Sequence, residues 1–304
     1  MRRKCSVKNW AMGATILCSI SFANSHMARA TESGGNSYPP GASIYLAGAM
    51  PPPGEYILFQ PNYYTADQMN DGGGNKLPLD FSVESVSQTF RGFVVTPYRL
   101  FGAQVASEVI LPIVDLHAEV AGQKTSKLGF GDVGITPLML GWRLGPNLSL
   151  VWGTDIFMPV GQYNAAALAN IGRNVWSFQP TLGLAYIDPQ GWQAQVSPRL
   201  AFNTTNDATR YHSGSDFDLD FAVARNVDGW RFGVSGYFYL QYEDDTQDGV
   251  KVGADGYRGK AFAVGPAISH DIGPLQATFT WQHEFVAEHR AQGENLWMQL
   301  GLRL

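Results

Sequence analysis

Apolar and polar residues alternate at every second position in several long segments of this chain. Between 275 and 285, Leu275, Phe279 and Trp281 fall in one phase, while glutamine, threonine and glutamate residues fall in the other. A helix, with 3.6 residues per turn, would mix the two phases, whereas a strand keeps them on opposite faces. The same alternation occurs over residues 192–202, 217–223, 230–240 and 296–304. The sequence therefore predicts an all-β fold.

The composition excludes several classes of protein. Only 15% of the 304 residues are charged, against about 25% in ordinary soluble domains. Aromatic residues make up 12% and there are 34 glycines. Beyond the first thirty residues, no stretch approaches the ~20 apolar residues that a membrane-spanning helix needs. A disordered chain, a coiled coil and a helical membrane protein are thereby excluded, which leaves a soluble β protein or a transmembrane β-barrel.

The first thirty residues have the features of a cleaved secretory signal peptide. Four basic residues among the first eight precede a mostly apolar run over 10–23, and Ala28-Arg29-Ala30 is a small-x-small cleavage site. Both cysteines, Cys5 and Cys18, lie in this segment, so the remaining chain offers no thiol for disulfides, catalysis or zinc. That remainder carries 16 basic and 26 acidic residues, a net charge of −10, which disfavours nucleic-acid binding.

Short and long connections alternate along the chain. Short turn signals occur at 98–100, 145–147, 188–191, 228–229 and 273–274, and longer polar stretches at about 66–80, 116–129, 161–175, 203–216, 243–257 and 286–295. Short periplasmic turns and longer extracellular loops are typical of transmembrane barrels. Residues 55–304 are therefore predicted to form an antiparallel up-and-down β-barrel of about 12 strands (10–14) in the outer membrane of a Gram-negative bacterium. The Gly/Pro-rich segment 31–54 would be periplasmic or lumenal, and a soluble β-sandwich is the alternative fold.

Two residue types test this prediction. Aromatic residues near predicted strand ends would form girdles at the membrane interfaces, namely Tyr63, Tyr64, Trp142, Trp176, Trp192, Trp230, Tyr257 and Trp297. Four prolines lie inside predicted strands, although a closed barrel has no free edge to accommodate them: Pro137, Pro180, Pro198 and Pro266. Either they mark β-bulges, or the strand limits are misplaced by several residues.

Short motifs from Pro51 to Leu304 resemble a family of outer-membrane proteins encoded with the meta-cleavage pathway of phenol degradation, whose members are often labelled transporters. The matching residues are Pro51-Pro-Pro-Gly54, Asn62-Tyr-Tyr64, Gly131-Asp132, Asn170-Ile-Gly-Arg-Asn174, Trp176, Pro180, Tyr211 to Asp216, Asp220, Tyr257-Arg-Gly259, Gly265-Pro266 and Trp281-Gln-His-Glu-Phe285. The resemblance implies an outer-membrane β-barrel and uptake of aromatic or other hydrophobic compounds. It brings no catalytic residues with it.

Charged residues in the polar phase are the candidate lumen residues: Glu108, Arg199, Asp218, Asp220, Arg231, Glu284 and Arg303. Arg173, in the loop 161–175, is a candidate constriction residue. Opposite charges facing across the lumen would select solutes by charge and dipole. Alternatively, the charges pair along the wall and only satisfy one another. The alanine-rich loop 161–175 favours a short helical turn and would either fold inward, with Arg173 at the pore, or cap the barrel against lipopolysaccharide. The acidic loop 243–257 lacks calcium-loop spacing and is interpreted as a solvated face.

The expected function is passive uptake of small hydrophobic or aromatic compounds through an outer-membrane channel. About twelve strands leave a narrow bore, because eight are filled by side chains and sixteen leave an open channel. A narrow general or weakly charge-selective porin is the first alternative, and a structural or adhesive barrel the second. An enzyme, a metal and a cofactor are not expected: only His283 lies on an apolar face, and no partner serine is evident. Expected partners are outer-membrane lipid, lipopolysaccharide, the solute and the barrel-assembly machinery, but no nucleic acid.

Overall fold

The computed structural model describes residue 32, residues 35–44 and residues 47–304; the predicted signal peptide lies outside these ranges. No helix in the described part of the chain is long and apolar enough to cross a membrane. The strands are β1 (Gly54–Met69), β2 (Phe81–Leu100), β3 (Ala103–Val120), β4 (Gln123–Phe130), β5 (Val133–Arg143), β6 (Leu148–Met158), β7 (Ser177–Ile187), β8 (Trp192–Asn203), β9 (Tyr211–His212), β10 (Asp216–Val227), β11 (Trp230–Gln241), β12 (Thr246–Gln247), β13 (Val250–Lys251), β14 (Lys260–Ile272), β15 (Leu275–Glu288) and β16 (Ala291–Arg303).

The long strands form one antiparallel sheet that closes on itself. Strand β1 pairs with both β16 and β2, so the first and last strands seal the barrel. Strands β4 and β5 pair with the two halves of β3 and together take one place in the wall. The described residues therefore form a closed barrel of twelve wall strands, which confirms the predicted fold. Strands β9, β12 and β13 form a small separate sheet.

The alternating sequence sorts side chains between the two faces of the wall. On β11, Phe232 points outward and is 52% exposed, whereas its neighbour Arg231 points inward and is 6% exposed. The outward set is apolar and branched or aromatic, as suits a strand facing lipid, and the inward set is polar. The turns that follow β2, β5, β7, β10 and β14 lie at the same end as Gly54 and Arg303, the periplasmic end in barrels of this type.

Two predicted loops are wrong, because the strands extend further than their polarity suggested. In place of a loop over 116–129, β3 and β4 meet at a tight turn whose residues, Ala121 and Gly122, have φ of 52° and 79°. In place of a loop over 286–295, β15 runs to Glu288 and β16 begins at Ala291. The polar residues there pair between neighbouring strands: Lys124 forms an ion pair with Glu119 at 3.1 Å, and Lys260 with Glu288 at 3.0 Å.

The strand prolines coincide with interruptions in the ladders. The register of β5 shifts on both sides around Pro137, between Ile135 and Met139 on the β6 side. On β14, Pro266 faces β11 in register, but the pairing with β15 is interrupted between Val264 and Ala267. Proline lacks a backbone N–H, and this lack is tolerated where the hydrogen-bond pairing between strands is already interrupted. The prolines therefore lie within the strands, at these interruptions.

Two residues expected in the aromatic girdles point into the barrel instead. Trp297 points into the barrel and is only 1% exposed, because it lies in the opposite phase to Leu296 and Met298, which form the outer face. Tyr64 also points inward, where its hydroxyl reaches Glu284. Trp192 and Trp230 are exposed on the outer surface.

Candidate functional site

The segment that precedes the barrel passes through the lumen. Asp220, on the inner face of β10, accepts the backbone N–H groups of Gly41 at 2.6 Å and Ser43 at 2.7 Å. Gly41 has a φ of +84°, a conformation that glycine adopts without steric cost. The carboxylate therefore satisfies two donors of a segment that belongs to no strand or helix.

Glutamine side chains from four other strands complete the attachment of this segment. They donate from Nε2 to backbone carbonyls: Gln60 to Ala42 at 3.1 Å, Gln299 to Ala42 at 2.7 Å, Gln195 to Ser43 at 2.9 Å and Gln282 to Gly41 at 3.4 Å. A row of polar side chains on the inner wall thus replaces the hydrogen bonds that a strand would make. Residues 35–44 occupy the middle of the bore as a fixed plug.

An ion pair on the inner wall is joined to the plug by an aromatic ring. Arg199 on β8 binds Asp155 on β6, with 2.5 Å between Nη1 and Oδ2, and both side chains are buried. The Arg199 guanidinium lies 3.5 Å from the centre of the Tyr38 ring. Tyr38 belongs to the plug, so its ring and the guanidinium form a cation–π contact between plug and wall.

Two further pairs lie along the wall. Arg91 donates from Nε and Nη2 to both oxygens of Glu108, at 2.7 and 2.8 Å, between the adjacent strands β2 and β3. Arg231 donates to both oxygens of Asp271 between β11 and β14. These bidentate contacts join neighbouring strands and do not face one another across the lumen, so the partners neutralise each other locally.

A cavity of about 330 Å³ lies between the plug and the outer end of the barrel. Its apolar lining comes from the inner faces of β2 and β3 and from the 159–176 loop: Phe81, Val83, Leu116, Val120, Leu168 and Ile171. Its volume lies within the range of small-molecule sites, about 300–1,000 Å³, and such sites combine apolar walls with a few polar groups.

The polar side of this cavity is formed by Glu284 and Arg290. Glu284 accepts the hydroxyl groups of Tyr237 at 2.5 Å and Tyr64 at 3.0 Å, and the N–H of Gly293 at 2.7 Å. The Arg290 guanidinium, from the turn between β15 and β16, lies 4.2 Å from the centre of the Tyr239 ring. The carboxylate is thus fully engaged, while the cation rests on an aromatic face.

The 159–176 loop folds inward. Asp132, in the break between β4 and β5, accepts the N–H groups of Gly161 at 2.9 Å and Arg173 at 2.7 Å. Arg173 thereby lies beside the cavity, and its Nη1 donates to the carbonyl of Glu32 at 3.3 Å. The alanine-rich part forms a single turn, with Ala167 N–H donating to the carbonyl of Asn164 at 3.0 Å, and no helix.

The other predicted site residues are dispersed. Asp218 points inward beside Asp220, and its Oδ1 has no hydrogen-bond partner among the described residues. Arg303 lies at the exposed periplasmic rim and donates to the carbonyl of Pro53 at 3.0 Å. Sequence reasoning missed Arg91, which the alternation of β2 would have placed inside. It also missed Arg290, which fell in a predicted loop.

The prediction that the acidic loop 243–257 is a solvated face is partly wrong. Asp245 is fully buried and accepts the Tyr211 hydroxyl at 2.5 Å, the Gly214 N–H at 2.8 Å and Gln241 Nε2 at 2.6 Å. It holds together the loops that carry β9, β12 and β13. Within the described ranges, no group of three or more His, Cys, Asp or Glu side chains is arranged to hold a metal ion.

Comparisons with known proteins agree with this architecture. The family model described as "Putative MetA-pathway of phenol degradation" matches residues 66–300. The structure is similar to the COG4313 outer membrane channel from Pseudomonas putida F1, at 16% identity and a TM-score of 0.77 over 86% of this chain and 99% of that chain. It is also similar to the CymD monoaromatic hydrocarbon channel, at 8% identity and a TM-score of 0.46 over 83% and 89%. At 16% identity, the likeness to the COG4313 outer membrane channel shows the β-barrel fold. No curated protein matches the chain.

Proposed function

This chain belongs to the phenol-degradation family whose model covers residues 66–300, and from that membership we propose that it is a passive channel for small hydrophobic or aromatic compounds. The observation that carries the proposal is the 330 Å³ cavity inside the closed barrel, apolar on the side of β2 and β3. A solute entering from the outer end would exchange water for this apolar lining, which favours nonpolar molecules. No enzymatic activity is part of the proposal.

The plug supports a selective channel over a general porin. Residues 35–44 occupy the bore below the cavity and are held by one carboxylate and several glutamine side chains. General porins keep an aqueous channel through sixteen or more strands, whereas this barrel has twelve and fills its bore with its own chain. We therefore place a narrow general porin second and a structural barrel third.

Conductance in planar bilayers tests the proposal. Residues 31–304, which we propose as the mature chain, would be refolded and inserted, and single-channel current recorded with and without phenol. We expect small current steps that phenol blocks reversibly, because phenol would occupy the cavity on the conduction path. Steps that phenol leaves unchanged would favour the general porin. An inserted, folded protein that gives no steps and admits no phenol into liposomes would favour the structural barrel.

A further inference from the structure

A cation beside the cavity has one donor nitrogen with no acceptor among the described residues. Arg290 lines the cavity, and its Nη1 is buried with no hydrogen-bond partner among the described residues. The Arg290 guanidinium lies over the face of Tyr239, 4.2 Å from the ring centre, and the ring attracts the cation but accepts no conventional hydrogen bond. A buried donor on a charged group is costly to leave unpaired, so an acceptor that entered the cavity and reached this guanidinium would relieve that cost.

The nearby carboxylate does not serve as that acceptor. The oxygens of Glu284 already take three hydrogen bonds, from Tyr64, Tyr237 and Gly293. Both Tyr64 and Tyr237 donate their only hydroxyl proton to Glu284 and offer little to a second anion. The acidic side of the cavity is thus saturated, while the basic side retains a free donor.

The backbone holds Arg290 in place before any solute arrives. Its carbonyl accepts the N–H of Asn70 at 2.9 Å, and the N–H of the preceding His289 donates to the carbonyl of Asp71 at 2.9 Å. The His289 ring is held by Asp255, with 2.5 Å between Nε2 and Oδ2. A fixed turn reduces the conformational entropy that the side chain loses on binding, so the free donor is preorganised.

A second guanidinium faces the same cavity. Arg173 Nη2 is buried and, in the described part of the chain, also lacks a hydrogen-bond partner. The Asp132 carboxylate is engaged with the N–H groups of Gly161 and of Arg173 itself. Each of the two arginines thus has one donor nitrogen without a partner, and both side chains lie at the edge of the apolar lining of the cavity.

We propose that the preferred solutes are aromatic monocarboxylates, bound with the ring against the apolar lining and the carboxylate on the free edge of Arg290. This inference rests on the proposed channel function and specifies its substrate class. A carboxylate accepts charge-assisted, often paired, hydrogen bonds from a guanidinium. A phenol, with a pKa near 10, is neutral at pH 7 and forms only one ordinary hydrogen bond there.

Isothermal titration calorimetry on residues 31–304 in detergent micelles tests this substrate class. The two probes are benzoate and benzyl alcohol, which share a ring and differ in charge. We expect benzoate to bind at least about tenfold more tightly, since a hydrogen bond to a charged group contributes more than a neutral one. The Arg290→Gln variant should lose this preference and keep its affinity for benzyl alcohol. Arg210→Gln, an exposed arginine on an outer loop, is the matched control and should behave as wild type.

The outcomes distinguish failure of the carboxylate preference from failure of the proposed channel function. Equal binding of both probes by wild type, or an unchanged preference in Arg290→Gln, would overturn the carboxylate inference and leave an aromatic channel standing. Binding of neither probe, together with no phenol block, would overturn the channel proposal as well. If Arg290→Gln does not fold, the comparison is repeated with Arg290→Lys, which keeps the positive charge but replaces the forked donor edge by a single ammonium group. A benzoate affinity unchanged from wild type in Arg290→Lys would then overturn the inference.

Discussion

The carboxylate of Asp220 accepts the backbone N–H of Gly41 at 2.6 Å, so a wall strand holds the N-terminal segment across the bore. The second oxygen holds Ser43 in the same way. A charged acceptor shared by two backbone donors is a strong attachment, with each bond contributing about 1.5–3 kcal/mol. The state of the bore therefore depends on this one side chain more than on any single glutamine.

Asp220→Ala is expected to increase the open fraction of the channel at least tenfold. Loss of two charge-assisted bonds leaves the N–H groups of Gly41 and Ser43 unpaired in the lumen, which destabilises the seated plug. Single-channel recording measures the open fraction directly. Asp207→Ala, at an exposed loop position after β8, is the control. Equal effects of the two substitutions would contradict the assignment.

Gly161→Ala should release the 159–176 loop from the cavity. A Cβ at this position would lie 2.7 Å from the carbonyl carbon of Gly131 and 2.8 Å from the Cα of Gly172, both of which are backbone atoms. The loop must therefore move away, and we expect faster proteolysis within it and a larger conductance. Gly145→Ala, where a Cβ meets nothing within 4 Å, is the control. A docked, protease-resistant loop in Gly161→Ala would show that the contact adjusts easily.

The strands of the barrel wall could be predicted from sequence because each alternates apolar and polar residues. Segment 230–240 places Phe232 outside and Arg231 inside in the structure, as period two requires. The prediction of a loop over 116–129 was wrong because its polar residues resemble a loop only in composition. Glu119 and Lys124 belong to a paired hairpin near the outer end of the barrel. Charge alone does not distinguish a solvated strand from a loop.

The contents of the lumen were harder to predict than its wall. Alternation assigns Arg199 and Asp220 to the inner face, but their partners, Tyr38 and Gly41, are about 160–180 positions away. The segment that supplies those partners has no periodic pattern, so nothing local predicts its path. Arg290 lies in a two-residue turn, where phase carries no information, and only the three-dimensional arrangement brings it over Tyr239.

Breaking the buried pair between Arg199 and Asp155 should destabilise the barrel by about 3–5 kcal/mol. Asp155→Asn leaves a buried guanidinium without its counter-charge. Thr136, which also donates a hydrogen bond to Asp155, then faces a neutral acceptor in place of a carboxylate. The free energy of unfolding in urea, measured in detergent micelles, gives the loss. The double variant Asp155→Leu with Arg199→Met should recover most of it, because neither charge remains buried. A double variant as unstable as the single one would contradict this explanation.

The pair formed by Asp255 and His289 predicts a pH dependence outside the membrane. Partial burial acts to raise the pKa of Asp255, but the hydrogen bond and charge of His289 outweigh it, so this pKa lies below its ordinary value. A folded-state pKa below the unfolded value of about 3.9 stabilises the fold above that pH, and the contribution is lost as the pH falls through the folded value. The turn carrying Arg290 should therefore loosen only in strong acid.

Carboxyl ¹³C chemical shifts of Asp255 across pH 2–6, in labelled protein, measure this pKa. We expect a midpoint below that of a free aspartate in wild type, and a higher midpoint in His289→Asn, which removes the imidazole charge. If the Asp255 midpoint in wild type matches that of a free aspartate, His289 does not stabilise the carboxylate. The turn would then have to hold Arg290 through its backbone bonds to Asn70 and Asp71 alone.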